Sequence, residues 1–378
     1  MNKIIYLDNA STTKVDEEVM KTYERVSLSY FGNASSIHRL GIEANDLLEK
    51  ARAQILSLLK LERSHEVIFT SGATEANNLA LKGYMHQYKN RGNHLIVSSI
   101  EHPSLIEAAK SLEKEGFEVT YLPVDNHGVI NINVLKQSIK KETILVSIMS
   151  VNNETGSIQP IEEIASLLKE YSKIMFHTDA VQAIGKIEKS YDDIDMVTLT
   201  SHKIHGLKGV GALIKRKNIT FDPILSGGGQ ENGLRSGTND VANIVSFSKA
   251  LRLSLAKLPS TIKHVKELYN RLMDYFKSNP EMYILNSFSD NPFILNVSLK
   301  EKKAAVVVEG LSKKGIMISS ISACHSKSEA YSYVVYEMSK DEKRSRNTLR
   351  ISLDYHNTME EIEEFIHELD SLVRGLRQ

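Results

Sequence analysis

Short apolar runs recur from Glu66 to Ile214, and segments with helical spacing separate many of them. The runs at 66–70, 94–98, 118–122, 144–149, 174–177, 196–199 and 210–214 read as strands. Helices are expected over 104–115, 134–139 and 161–171. Strands that alternate with helices predict a mainly parallel, doubly wound sheet, because a crossover helix returns the chain to the same sheet edge. No other feature of the chain constrains its fold as tightly.

The pattern changes after Gly227-Gly228-Gly229. Long helices are expected over 240–256 and 260–277, then mixed strands and helices from Pro292 onward. The last helix is marked by Ile362, Phe365, Ile366, Leu369, Leu372, Val373 and Leu376 at helical spacing. A chain of 378 residues exceeds one ordinary core. It is divided here into a large domain, 13–257, and a smaller α+β domain made of 1–12 and 258–378. Lys+Arg and Asp+Glu are equal at 47 each, which gives no bulk basic surface for nucleic acid or membranes. No apolar run reaches the roughly 20 residues of a membrane span, and the N-terminus has no signal-peptide pattern. The one cysteine, Cys324, forbids an intrachain disulfide and fits a reducing cytoplasm.

Chemistry-bearing residues sit where these strands end, and strand ends are where open α/β sheets bind ligands. Lys203 follows the strand at 196–199, with Thr200, Ser201 and His202 beside it. A lysine fixed there can form a Schiff base with a carbonyl compound; a solvated loop lysine is the bland alternative. Ser71-Gly72-Ala73-Thr74-Glu75 opens a helix, where free N–H groups make either an anion site or an ordinary cap. Asp179 and Gln182 follow another strand, Glu101-His102-Pro103 a third, and Asn152-Asn153-Glu154 a fourth. His202 and His205 lack a carboxylate partner at any metal-binding spacing, so no metal is expected. Cys324 lies in a small, polar run, with His325 and Lys327 placed to favour its thiolate. It reads as a nucleophile.

Taken in order, these motifs resemble the cysteine desulfurases, pyridoxal-phosphate enzymes of the class-V aminotransferases, in the NifS/IscS-like subgroup. The resemblance runs from Tyr6-Leu7-Asp8-Asn9-Ala10 through Phe31-Gly32-Asn33, Thr70-Ser71-Gly72-Ala73-Thr74-Glu75, Glu101-His102-Pro103 and Asp179-Ala180-Val181-Gln182. It continues through Ser201-His202-Lys203, Gly229-Gln230-Glu231 and Arg235-Ser236-Gly237-Thr238 to Ser322-Ala323-Cys324 and Leu349-Arg350-Ile351-Ser352. It implies aminotransferase fold type I and pyridoxal 5'-phosphate, with Lys203 as the Schiff-base lysine. Asp179 is then placed on the pyridine nitrogen, Gln182 and Asn153 near the ring oxygen, and His102 against the ring in proton transfer. Ala73, Thr74, Thr200, Ser201 and His202 would hold or line the phosphate site, joined by Thr238 from a second subunit of a homodimer. Arg350 and Asn33 would bind the substrate carboxylate. Cys324, on a mobile loop, would take sulfur from L-cysteine as a persulfide, release L-alanine and pass the sulfur to an acceptor protein for iron–sulfur cluster assembly or tRNA thiolation. The chain ends soon after its last helix, without the longer tail by which some relatives dock a cluster scaffold, so a tRNA-thiolation enzyme stands as the alternative acceptor. Ile321, Ser201, Leu207 and Asp354 depart from the family pattern. A selenocysteine lyase, another class-V enzyme, or a slow partner-binding homologue are the readings that compete with a desulfurase.

Overall fold

The structure, a computed structural model, describes residues 4–320 and 331–375. The chain opens with β1 (Ile5–Tyr6). Seven strands then build the main sheet: β2 (His65–Thr70), β3 (His94–Ser98), β4 (Glu118–Leu122), β5 (Thr143–Ser147), β6 (Met175–Asp179), β7 (Met196–Thr200) and β8 (Gly211–Arg216). Their order is β2-β8-β7-β6-β5-β3-β4. The five strands from β7 to β4 run parallel, and β8 lies antiparallel between β7 and β2. The expected doubly wound sheet is therefore present. Its inner strands β3, β5 and β7 are buried along their length because helices cover both faces. Leu145 and Val146, adjacent on β5, belong to different hydrophobic clusters, one on each side of the sheet.

A second core lies beyond residue 260. Strands β9 (Tyr283–Leu285), β10 (Ile294–Leu299), β12 (Ser319–Ser320) and β13 (Thr348–Ser352) form an antiparallel sheet ordered β12-β13-β10-β9. Strand β11 (Ile316–Met317) pairs in parallel with β1. Ile5 and Leu7 thus join Leu295, Val297, Leu349, Ile351 and Phe365 in one buried cluster. Two helices were expected over 240–256 and 260–277, but one continuous helix runs Val241–Lys277 with Pro259 inside it. The proline removes one intrahelical N–H, a cost the helix meets by burying residues at both ends. Phe247 and Leu251 enter the first core, and Val265, Leu272 and Phe276 the second. The division at 257/258 falls within this helix. Among the described residues no helix is long and apolar enough to cross a membrane.

Buried titratable groups inside the sheet set a pH dependence. His177 sits between Ser147 Oγ at 2.8 Å and Thr198 Oγ1 at 3.0 Å, and burial pushes its pKa down from 6.5 to about 3. The folded state therefore refuses a proton that the unfolded chain accepts. This stability is fully present above pH 6.5 and is lost as pH falls towards 3, by about 5 kcal/mol in all. Glu101 acts with the opposite sign. Burial raises it from 4.5 to about 8, against hydrogen bonds from Ser98 and the Met149 N–H, so its contribution is lost as pH rises across that interval. Urea midpoints are expected to be highest near pH 6 and lower at pH 4 and 8.5. His177→Gln should remove the loss at low pH and move the maximum towards pH 4.5, because the Glu101 slope then acts unopposed.

Candidate active site

The carboxyl ends of β2, β6 and β7 lie on one side of the sheet, and the loops after β3 and β5 join them. Asp179 is the last residue of β6. Lys203 ends the 3-10 turn Ser201–Lys203 that follows β7. The N-terminal segment crosses in front. Lys203 Nζ donates to the Ala10 carbonyl at 2.5 Å and to the Ser11 carbonyl at 2.7 Å. Arg350, on β13, reaches the same segment from the other core. Its Nη2 meets Asp8 Oδ1 at 2.9 Å and Ser11 Oγ at 2.5 Å, and Nη1 meets the Asn153 carbonyl at 3.0 Å. Lys203 and Arg350, about 150 residues apart in the sequence, thus converge on Ser11. Arg350 is 7% exposed, and its Nε is buried without a hydrogen-bond partner. A guanidinium so placed is suited to exchange Asp8 for another carboxylate.

Asp179 is tied to His102 through a chain of short bonds. Asn77 Nδ2 donates to Asp179 Oδ2 at 2.8 Å and to Ser104 Oγ at 2.9 Å. The Ser104 N–H donates to His102 Nδ1 at 3.1 Å, and Ser104 Oγ lies 2.9 Å from the same nitrogen. Nδ1 is therefore an acceptor, and in the neutral ring the proton resides on Nε2. Burial, then Lys203, pull the His102 pKa down against the opposing pull of Asp179, which keeps that neutral form dominant. Nε2–H is thus a donor aimed out of the network. Gln182 Nε2 donates to the Ala10 carbonyl at 2.9 Å, and Lys186 Nζ donates to Gln182 Oε1 at 2.6 Å. An ammonium has only donors, so it fixes which way the Gln182 amide faces. Asn77, Ser104, Asp8, Ser11 and Lys186 were given no role from the sequence, because nothing in their spacing marks contacts made across such distances.

The helix beginning at Ala73 has Gly72 as its N-cap, with φ 156° and no side-chain cap. Its first N–H groups are available to an anion. A β-carbon on Gly211 would lie 2.8 Å from Gly72 Cα, so glycine at 211 permits the close approach of β8 to the loop. Glu75 accepts from the Ser71 N–H at 2.7 Å and is itself held by Arg235 at 2.7 and 3.2 Å. Thr200 lies in register with Gly211, at the edge of this cradle, but its hydroxyl donates to the Val210 carbonyl at 3.1 Å. Ser201 Oγ is buried, has no hydrogen-bond partner, and lies 1.9 Å from where a Gly206 β-carbon would stand. The Thr200 hydroxyl is thus bonded within the chain, and Ser201 Oγ packs against the Gly206 turn. His202 Nδ1 is 3.2 Å from Thr12 Oγ1, and burial, with Lys203, Lys208 and Lys186, lowers its pKa to about 4.

Asn33 and Thr238 are exposed, and Asn33 Oδ1 accepts the Ser35 N–H within its own turn. Cys324 and Ile321 lie outside the described residues. One cluster was not legible from spacing: His205, Asp354 and His356 bring their ligating atoms within 4.8 Å of one another. The carboxylate that local spacing failed to supply to His205 comes from the turn after β13.

Comparison with known proteins agrees with this geometry. A family model described as aminotransferase class-V matches residues 5–365. The chain is 39% identical to the NifS/IcsS protein homolog of Lactobacillus delbrueckii subsp. bulgaricus, over 98% of this chain and 97% of that protein. It is 37% identical to the cysteine desulfurase IscS of Dictyoglomus turgidum, over 100% of this chain and 96% of that protein. A solved NifS-like protein has a TM-score of 0.92 at 34% identity, over 99% of this chain and 100% of that one.

Proposed function

Because this chain belongs to the class-V aminotransferase family, we propose that it is a pyridoxal-phosphate-dependent cysteine desulfurase, converting L-cysteine to L-alanine and passing the sulfur to an acceptor protein. The observation that carries the reading is the convergence of Lys203 and Arg350 on Ser11, with Asp179 ending the strand next to β7. A lysine, an arginine and a carboxylate so arranged suit an amino acid held by its carboxylate beside an aldehyde-bearing ring.

The residues fit that cofactor. The uncapped helix start at Gly72 offers N–H groups to a phosphate, and Asn153 Oδ1 and Arg350 Nε are buried polar atoms without hydrogen-bond partners. When bound, pyridoxal phosphate supplies the electron sink that lets a proton leave the amino acid α-carbon. Lys203 would hold its aldehyde carbon and, with its amine free, would take that proton and return it. Asp179 accepts the N–H of the ring nitrogen. His102 donates from Nε2. Gln182, held by Lys186, and Asn153 line the ring-oxygen side. Ala73 and Thr74 present their N–H groups to the phosphate beside His202, Thr200 and Ser201. Arg350 takes the substrate carboxylate, with Asn33. The Cys324 thiolate attacks the substrate sulfur. As that S–S bond forms, the Cβ–S bond breaks, and protonation of the three-carbon remainder gives alanine.

The working unit is a homodimer in which Thr238 of each chain completes the other's phosphate site. Leu28, Phe31 and Ile37, which are 72, 73 and 96% exposed, support a covered face near Asn33. We place the enzyme in the cytoplasm, its acceptor serving iron–sulfur assembly or tRNA thiolation, and residues 1–12 with 258–378 as its smaller domain. Single turnover of the yellow holoenzyme with radiolabelled L-cysteine tests the activity. The expected result is stoichiometric alanine, with label on Cys324 that a reductant releases. Alanine without label on Cys324, or amino transfer to a keto acid in its place, would reject it.

A further inference from the structure

His205 lies two residues beyond Lys203, and Asp354 lies four beyond Arg350. His205 has a φ of 63°, a left-handed conformation that a β-carbon disfavours. Its backbone is held there by the N-terminal segment. The His205 N–H donates to Thr13 Oγ1 at 2.8 Å, and its carbonyl accepts the Asp16 N–H at 3.0 Å. The ring then faces two acceptors. Nδ1 is 3.0 Å from the Lys14 carbonyl, and Nε2 is 2.7 Å from Asp354 Oδ2. Both ring nitrogens thus face oxygen acceptors, and Nε2 makes a short contact with the Asp354 carboxylate. Burial works to raise the Asp354 pKa, yet hydrogen bonds from His205 and His356 hold it well below the usual carboxylate range. The side chains are 11% and 8% exposed, so the pair is shielded from bulk solvent.

The pair links the two turns that matter for the site. One carries Lys203 and the other ends the strand of Arg350. Between them runs the segment Asp8–Asp16, bonded to Arg350 through Asp8 and Ser11, to Lys203 through Ala10 and Ser11, and to His205 through Thr13, Lys14 and Asp16. His205–Asp354 closes this circuit directly. His205, Asp354 and His356 also form a possible donor set for a divalent metal. Lys186, Lys203 and Lys257 line the same cavity and repel a cation there, whereas they favour the carboxylate.

We propose that the His205–Asp354 pair is a positioning device that fixes the span between Lys203 and Arg350, and so sets how tightly the carboxylate of a bound amino acid is gripped. The proposal rests on the roles given above to Lys203 and Arg350. L-Alanine, which presents the same carboxylate and carries no sulfur, is titrated into the yellow holoenzyme and read from its visible absorbance. Asp354→Asn and His205→Asn are each expected to weaken binding about 10-fold, and the double variant no more than the weaker single. Asp354→Glu should recover part of the loss. With L-cysteine, the single variants should raise KM about 10-fold and leave kcat within about threefold. Losses that multiply in the double variant, or L-alanine binding unchanged in the singles, would overturn the proposal. Should Asp354→Asn fail to fold, His205→Asn and Asp354→Glu carry the same readouts. Tight L-alanine binding by a wild-type protein that takes no sulfur from L-cysteine would count against the desulfurase reading, and the positioning role would still be decided by the variants.

Discussion

Lys203→Ala is expected to lower alanine production from L-cysteine by about 10^4-fold or more, because the substitution removes the group proposed both to hold the cofactor carbon and to move the α-proton. The fold should survive. Lys203 Nζ bonds the Ala10 and Ser11 carbonyls, and the loss of such bonds costs about 1–3 kcal/mol. Borohydride reduction should attach cofactor to the wild-type chain at Lys203 and leave the variant unmodified. Lys186 is the amine to watch. Burial, then Lys203, lower its pKa to about 7, so the substitution removes one of the charges that depress it. Its Nζ is tethered to Gln182 Oε1 at 2.6 Å, which holds it at that side chain. A small added amine should therefore restore part of the proton transfer in the variant, and Lys186 should not. Single-turnover alanine measurements, with and without methylamine, separate these outcomes. Turnover within tenfold of wild type would remove Lys203 from the chemistry.

The main sheet was legible because its signal is periodic. Apolar runs such as Leu95-Ile96-Val97 and Ile144-Leu145-Val146 can be buried only with helices on both faces, and the sheet has those faces. Once strand ends are known, Lys203 and Asp179 fall on one side of the sheet without further information. The second half of the chain was harder. Pro259 argued for two helices, yet burial on both sides of it kept one. Strand β9 and the helices Tyr333–Ser339 and Glu342–Arg346 were missed because three to seven residues carry too short a pattern to read.

The site's second layer was not legible for a different reason. Asn77 binds Asp179 across 102 positions, and Arg350 binds Asp8 across 342. Such contacts follow from which loops meet, and no local spacing records that. His205 shows the point most clearly. Read locally, it lacked a carboxylate; in the fold it has Asp354, delivered by a strand of the other core. Thr200 and Ser201 show the opposite case: position beside Lys203 carries the phosphate reading, and spacing does not record that the Thr200 hydroxyl bonds the Val210 carbonyl or that Ser201 Oγ packs against Gly206.

Asp179→Asn is expected to reduce kcat by roughly a thousandfold, with KM for L-cysteine changed less than about threefold. The two oxygens of Asp179 already accept from the protein, Oδ1 from the Val181 N–H at 3.0 Å and Oδ2 from Asn77 Nδ2 at 2.8 Å. A carboxylate can do this and still present lone pairs to a protonated ring nitrogen. An amide cannot. If its NH2 replaces Oδ2 it opposes the NH2 of Asn77, and the chain through Ser104 to His102 loses its anchor. If its NH2 replaces Oδ1 the Val181 N–H loses its acceptor, at about 1 kcal/mol. In either orientation the full negative charge that keeps the ring nitrogen protonated is gone, and with it the depth of the electron sink. The loss should therefore appear in the proton-transfer step, not in binding. A deuterium isotope effect at the α-carbon should grow in the variant as that step becomes rate-limiting, while L-alanine still titrates the visible band. An unchanged isotope effect with a lowered kcat would place the fault in cofactor retention and take from Asp179 its role at the ring nitrogen.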